Sequence, residues 1–274
     1  YTLEINQTIN KDNKGLFTVS ENADFVSKSK KINAHNVCRT LNWKLIFSLL
    51  FMVHLFACQS PPKNADIISK IIKKNFISQN IIVTDAMAGV GGNTLSFASL
   101  NLDNALLRAI EESGYTTPTA IQAQAIPVVT AGHDLMASAQ TGTGKTAGFS
   151  LPIIQKLLPK ASSSTSPARH PVRALILTPT RELADQVADN VRSYSRHTPL
   201  RSAVVFGGVD MAPQTAALRS GVEIVIATPG RLLDHIQQKT LNLSQTEIFV
   251  MDEADRMLDM GFRDDIEHIL KSVP

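Results

Sequence analysis

Leu135 to Ala139 is a short apolar run, and it leads directly into Ala139-Gln140-Thr141-Gly142-Thr143-Gly144-Lys145-Thr146. Two glycines followed by a lysine and a hydroxyl, at the end of such a run, predict a strand, a tight turn and a helix that starts near the lysine. In that turn the backbone N–H groups of Gly142 to Thr146 point inward at a helix N-terminus, which favours an anion such as a phosphate. Lys145 is then placed to reach the β and γ phosphates of a nucleotide, and the Thr146 hydroxyl to ligate magnesium. Ala139 stands where a first glycine is usual, but Gly144-Lys145-Thr146 is kept. A second element answers it. Val250-Met251-Asp252-Glu253 reads as an apolar strand ending in two carboxylates. Asp252 suits holding the magnesium through water, and Glu253 suits positioning and deprotonating an attacking water.

The rest of the downstream sequence agrees with that junction. Further short apolar runs, Ala174 to Thr178, Ala203 to Phe206, Glu223 to Ala227 and Ile248 to Met251, alternate with amphipathic helical stretches. Strands this apolar are buried on both faces, so the expected fold is α/β, a parallel sheet covered by helices on both faces. Ala161 to Pro171, rich in Ser and Pro, reads as a solvated loop between two such units. No internal repeat is visible.

Composition changes near residue 96. Residues 1–96 hold ten Lys, one Arg and six acidic residues, a net charge of +5, whereas residues 97–274 hold five Lys, eleven Arg and eighteen acidic residues, a net charge of −2. Asn falls from eleven to four and Ala rises from six to twenty-one across the same point. All the excess positive charge therefore lies upstream, and the basic balance of the whole chain says nothing about the partners of its downstream part. A shift of this kind is what a fusion of two coding backgrounds produces. Two cysteines, Cys38 and Cys58, are too few for a disulfide framework or a cysteine zinc site.

Upstream, residues 1–43 show no sustained period and read as a weakly structured extension. Residues 44–60 carry thirteen nearly uninterrupted apolar residues, Leu45 to Ala57. That run is shorter than the roughly 20 residues that cross a bilayer, so no stable membrane span is expected. It matches either a buried helix or the apolar core of a secretory signal, and Leu55-Phe56-Ala57-Cys58 resembles a lipoprotein cleavage box. Residues 61–96 contain an apolar strand, Asp85 and the glycine-rich Gly89-Val90-Gly91-Gly92. The string Asp85 to Ala98 resembles the cofactor loop of trimethylguanosine synthase-type methyltransferases, which implies S-adenosylmethionine. No later strand supplies the Asn-Pro-Pro-aromatic loop of that family.

With Asp252-Glu253-Ala254-Asp255 and the phosphate loop in place, residues 97–274 resemble the first RecA-like domain of the DEAD-box RNA helicases, nearest to the RhlE-like group. Six motifs fall in family order. Gly114-Tyr115-Thr116-Thr117-Pro118-Thr119-Ala120-Ile121-Gln122 is similar to the adenine-reading Q motif, with Phe97 seventeen residues ahead of it where the family places a base-stacking aromatic. An amide such as that of Gln122 can pair with the N6 donor and N7 acceptor of adenine. The resemblance implies an ATP site built from Phe97, Thr117, Gln122 and Ala139 to Thr146, with Mg2+ on Thr146 and Asp252 and catalysis by Lys145, Asp252 and Glu253.

Three further strings, Pro179-Thr180-Arg181-Glu182-Leu183-Ala184, Gly207-Gly208 and Thr228-Pro229-Gly230-Arg231, resemble the family's RNA-contacting motifs. Each follows an expected strand, on the edge where open α/β sheets bind ligands. Hydroxyls, free N–H groups and guanidinium ions there suit phosphate and 2′-hydroxyl contacts. The resemblance further implies a cytoplasmic ATP-dependent RNA helicase. It also implies a second RecA-like domain, missing downstream of Pro274, without which this chain alone is expected to hydrolyse little ATP. The alternatives left open are a cap methyltransferase fragment and a lipoprotein fusion. His133, His170, His197, His235 and His268 share no ligand spacing and read as surface or loop residues.

Overall fold

Each apolar run of the downstream segment forms a strand within one residue of its expected limits. The computed structural model describes residues 96–139 and 142–274 in full and, elsewhere, the backbone of three five-residue strands. The chain divides into two units, residues 1–59 and 60–274. In the first, β1 (Glu4–Thr8) and β2 (Leu16–Ser20) pair antiparallel, Glu4 opposite Ser20. Strands five residues long are too short to show a sustained period in the sequence. The apolar run 45–57, Cys58 and the glycines at 89–92 lie outside the described residues. Among the described residues no helix is long and apolar enough to cross a membrane.

In the second unit, β3 (Ile81–Asp85) pairs in parallel with β4 (Asp134–Ser138). A four-stranded parallel sheet follows, in the order β6 (Ser202–Val205), β7 (Ile224–Ala227), β5 (Ala174–Leu177), β8 (Ile248–Met251). The inner strands β5 and β7 are buried along their whole length. Alternation divides their side chains between two cores. Ala174, Ile176, Ile224 and Ile226 face one, packed with helices α1 (Asn104–Glu112), α3 (Lys145–Leu157) and α4 (Arg181–Ser195). Leu175, Leu177, Val225 and Ala227 face the other, packed with α5 (Met211–Arg219), α6 (Pro229–Gln237), α7 (Ala254–Asp259) and α8 (Arg263–Leu270). A sheet covered on both faces is thus observed. Full burial of each such aliphatic side chain stabilises by about 1.5–3 kcal/mol.

The helices form for local reasons that also position the loops. In α4, Ala184, Val187, Ala188 and Val191 are buried at helical spacing, and the Thr180 hydroxyl oxygen accepts from the Leu183 N–H to cap it. Helix α2 (Ala120–Thr130) opens with a capping box: Thr119 Oγ1 accepts from the Gln122 N–H, and Gln122 Oε1 accepts from the Thr119 N–H at 3.0 Å.

Of the histidines read as surface or loop residues two are buried, His170 on its loop and His235 on a helix. His170 Nδ1 meets Glu223 Oε1 at 2.5 Å and its Nε2 meets the Ser164 carbonyl at 2.7 Å. Glu223 Oε2 also accepts from the Arg201 N–H, and Arg201 Nη2 donates to the same Ser164 carbonyl. The Ser-rich loop is therefore pinned at the N-terminal edge of the sheet, although its tip stays exposed. His235, on α6, is buried with Nδ1 2.7 Å from Thr240 Oγ1. Burial first, and the Arg231 charge second, hold its imidazole below the ordinary histidine range against the opposing charge of Asp234.

Candidate nucleotide site and RNA-facing edge

The loop after β4 delivers Lys145 as the first residue of α3. Gly144 takes φ +88°, a left-handed conformation that turns the chain from strand to helix. Lys145 Nζ donates to the Ala139 carbonyl at 2.7 Å, so the ammonium folds back into the loop that its own backbone builds. Gly142, Thr143, Gly144 and Thr146 complete the described part of the turn, whereas Gln140 and Thr141 lie outside the described residues.

Beside it, β8 ends at Met251, and the Asp252 N–H donates to the Leu177 carbonyl, continuing the parallel ladder past the strand. Asp252 is buried. That burial raises its carboxyl above the usual aspartate range. The Lys145 ammonium pulls it down, the Glu253 charge pushes it up again, and the Glu253 N–H lowers it. The lysine of one loop and the acid of another are therefore electrostatic neighbours, although 107 positions separate them in sequence. Glu253 adopts φ 51°, ψ 49°, left-handed for a non-glycine residue, and Arg256 Nη1 holds its carboxylate at 3.0 Å. Strain of this kind persists where surrounding structure enforces it, and it concentrates at functional sites.

Gln122 is 1% exposed, which removes the reading of it as a surface amide. Its Nε2 donates to the Gly144 carbonyl at 3.1 Å while its Oε1 closes the capping box. The motif residue expected to read a base thus ties α2 to the phosphate loop. Thr117 is exposed ahead of it. Phe97 opens a 3-10 turn, Phe97–Leu100, and is only 5% exposed, packed in the same core as Leu100 and Leu106. Its ring therefore packs into the core in this structure.

On the C-terminal edge of the sheet the remaining strings stand in spatial order: Gly207-Gly208 after β6, Thr228 to Arg231 after β7, Pro179-Thr180-Arg181 after β5, and Asp252-Glu253 after β8. Arg181 is 59% exposed and its Nε donates to Glu182 Oε1 at 2.6 Å. Its Nη1 lies 3.6 Å from where a Cβ on Gly208 would stand, so these two loops meet over the edge. The Thr180 oxygen is committed to its helix cap, whereas Thr228 caps α6 without a side-chain bond, leaving its hydroxyl available. Arg231 differs from expectation. Its side chain is 13% exposed, and Nη1 and Nη2 both donate to the Val209 carbonyl at 3.1 Å. It grips the loop after β6 instead of facing outward. Gln214, which motif reading passed over, is buried beneath the same loop; a lone glutamine eight residues past Phe206 carries no signal in sequence.

Comparison with known proteins agrees with this arrangement. The DEAD/DEAH box helicase family model matches residues 119–274. The chain is 48% identical over 176 residues to the ATP-dependent RNA helicase SrmB of Escherichia coli, covering 64% of this chain and 38% of that protein. It is 43% identical over 179 residues to the DEAD-box ATP-dependent RNA helicase RhpA of Helicobacter pylori, covering 65% of this chain and 35% of that one. The crystal structure of a DEAD box protein from the hyperthermophile Methanococcus jannaschii superposes with a TM-score of 0.59 at 42% identity, covering 65% of this chain and 47% of that chain. The chain thus spans between a third and two fifths of the length of these two curated relatives. With a parallel sheet flanked by helices, a phosphate loop and an acidic strand end brought together, and a family match over more than half its residues, the chain belongs to the DEAD/DEAH box helicase family.

Proposed function

We propose that residues 97–274 are the ATP-binding RecA-like domain of a cytoplasmic ATP-dependent RNA helicase, with residues 61–96 a segment of separate origin. The observation that carries this reading is the convergence of Lys145, folded into its loop at 2.7 Å from Ala139 O, with the buried Asp252 on which its charge acts. A lysine and an acid that meet at a strand-to-helix turn suit a nucleotide triphosphate.

Lys145 neutralises the β and γ phosphates, and the N–H groups of Gly142 to Thr146 surround them. One or two carboxylates with a hydroxyl and phosphate oxygens is the donor set Mg2+ prefers, and Asp252 and Thr146 fit it; the ion supplies charge neutralisation at the phosphates. Glu253, aimed by its left-handed backbone and by Arg256, orients a water and accepts its proton as the water oxygen bonds to the γ phosphorus and the bridge to the β phosphate breaks. Thr180, Arg181, Gly207, Gly208 and Thr228 to Gly230, with Pro179 and Pro229 shaping their loops, form the face for an RNA backbone. Unwinding, on this reading, needs a second RecA-like domain closing over the same edge and supplying arginine to the transition state.

The test is calorimetric titration of the chain with MgATP, GTP and S-adenosylmethionine, followed by ATP turnover with and without single-stranded RNA. ATP binding lost in Lys145→Ala supports the assignment. Binding of S-adenosylmethionine in place of ATP would transfer function to the upstream loop.

A further inference from the structure

The turn from Phe206 to Asp210 is held by a side chain that no motif reading touches. Gln214 lies on α5, and its amide spans the mouth of the turn. Oε1 accepts from the Phe206 N–H at 3.0 Å, while Nε2 donates to the Phe206 carbonyl at 3.2 Å and to the Asp210 carbonyl at 3.1 Å. Arg231 grips the Val209 carbonyl between those two ends. The carbonyls of residues 206, 209 and 210 are thus drawn inward. The N–H groups of Gly207, Gly208 and Val209 have no hydrogen-bond partner among the described residues. With Gly208 at φ +83°, they form a turn of consecutive backbone donors, the kind of concavity that binds anions. The exposed Arg181 guanidinium stands over the same glycine.

We propose that Gln214 is a positioning residue for RNA binding: it fixes the Phe206–Asp210 turn in the shape that offers these N–H groups to a backbone phosphate. Arg231 acts with it, through the loop and not by contact with RNA. The inference rests on the reading of this edge as an RNA surface. Gln214 touches no ligand itself. Its amide is suited to the task because one planar group supplies both the donors and the acceptor that a turn's two ends require.

The experiment measures binding of a fluorescein-labelled oligouridylate to the full chain, in MgATP, for wild type, Gln214→Ala and Gln214→Met. Methionine fills nearly the same volume but makes none of the three hydrogen bonds, so it separates packing from positioning. Both variants should bind RNA about tenfold more weakly, the scale of losing one to two net hydrogen bonds. The loss should be equal for oligouridylate and oligoadenylate, since phosphate contacts carry no sequence information. ATP affinity should stay at the wild-type value and report an intact fold. Wild-type RNA affinity in Gln214→Met would overturn the positioning role while leaving the RNA edge standing. A wild-type chain that binds ATP but no oligonucleotide would overturn the RNA reading itself.

Discussion

The Gln122 side-chain amide donates to the Gly144 carbonyl across 3.1 Å, while its oxygen accepts from the Thr119 N–H. One buried side chain therefore joins the first turn of α2 to the glycine that precedes Lys145. Glycine at 144 is required twice. Its φ of +88° disfavours any side chain, and a Cβ there would stand 2.2 Å from Gln122 Nε2. The nucleotide loop is shaped from outside as well as by its own sequence.

Gly144→Ala should accordingly weaken MgATP binding, by about 1–3 kcal/mol, the cost of holding a non-glycine residue in a disfavoured backbone region. Part of that loss comes from the clash with Gln122, so the double variant with Gln122→Ala should lose less than the sum of the two single changes. Calorimetric titration of the four proteins forms the cycle. Strict additivity would mean that the two residues do not meet in solution.

Lys145→Ala removes the ammonium that sits inside the loop and acts on Asp252. ATP binding should fall by about 2–4 kcal/mol, as expected for losing a charge-assisted contact and leaving its anionic partner unpaired. A fluorescent ATP analogue in competition with ATP reads it directly. Unchanged affinity would remove the phosphate-loop assignment.

Much of this site is legible in sequence because local rules govern it. The strand ends at residues 138, 177, 205, 227 and 251 follow from apolar runs bounded by turn residues, and every motif string except Gly114 to Gln122, which leads from one helix into the next, falls just past one of them. The capping box at Thr119 and Gln122 is written in four consecutive residues. What sequence hides is direction. Phe97 is placed correctly along the chain, but nothing in its spacing shows that the ring turns into the core. Arg231 is likewise at the right edge with its guanidinium turned inward to Val209. The role of Gln214 and the burial of His170 are hidden because their partners lie across loops, and for His170 the partner Glu223 is 53 residues away. Long-range pairing of polar groups leaves no period to read.

Arg231→Lys tests the inward grip without removing charge. Two guanidinium nitrogens now reach the Val209 carbonyl, both at 3.1 Å. An ammonium on a flexible stem cannot reproduce that planar fork. The expected outcome is RNA binding weakened about threefold to tenfold with ATP affinity preserved, consistent with losing about 1 kcal/mol of hydrogen bonding. Fluorescence anisotropy with labelled RNA measures the first, and calorimetry the second. Were the lysine variant to bind RNA as tightly as wild type, the charge alone would matter and the grip on Val209 would be incidental.

The opposite edge of the sheet calls for a different outcome. His170 and Glu223 have side chains 0% and 1% exposed, and they share a hydrogen bond beside the Ser164 carbonyl that also receives Arg201. Gly221 lies against them: a Cβ there would come within 2.8 Å of the Pro167 carbonyl and 2.9 Å of His170 Cβ. Removing His170 leaves one buried Glu223 oxygen and the Ser164 carbonyl without that partner, although Glu223 keeps its bond from the Arg201 N–H. His170→Ala should therefore lower the urea-unfolding free energy by about 1–3 kcal/mol, the cost of an unsatisfied buried polar group. Gly221→Ala should also destabilise, because its backbone is left-handed and the neighbouring atoms are two main-chain atoms of Pro167 and the His170 Cβ, none of which can swing aside. Neither change lies near the phosphate loop. ATP affinity measured well below the unfolding midpoint should then match wild type for both. Loss of ATP binding without loss of stability would show that this edge communicates with the nucleotide site, and would overturn the separation between a stabilising N-terminal edge and a functional C-terminal one.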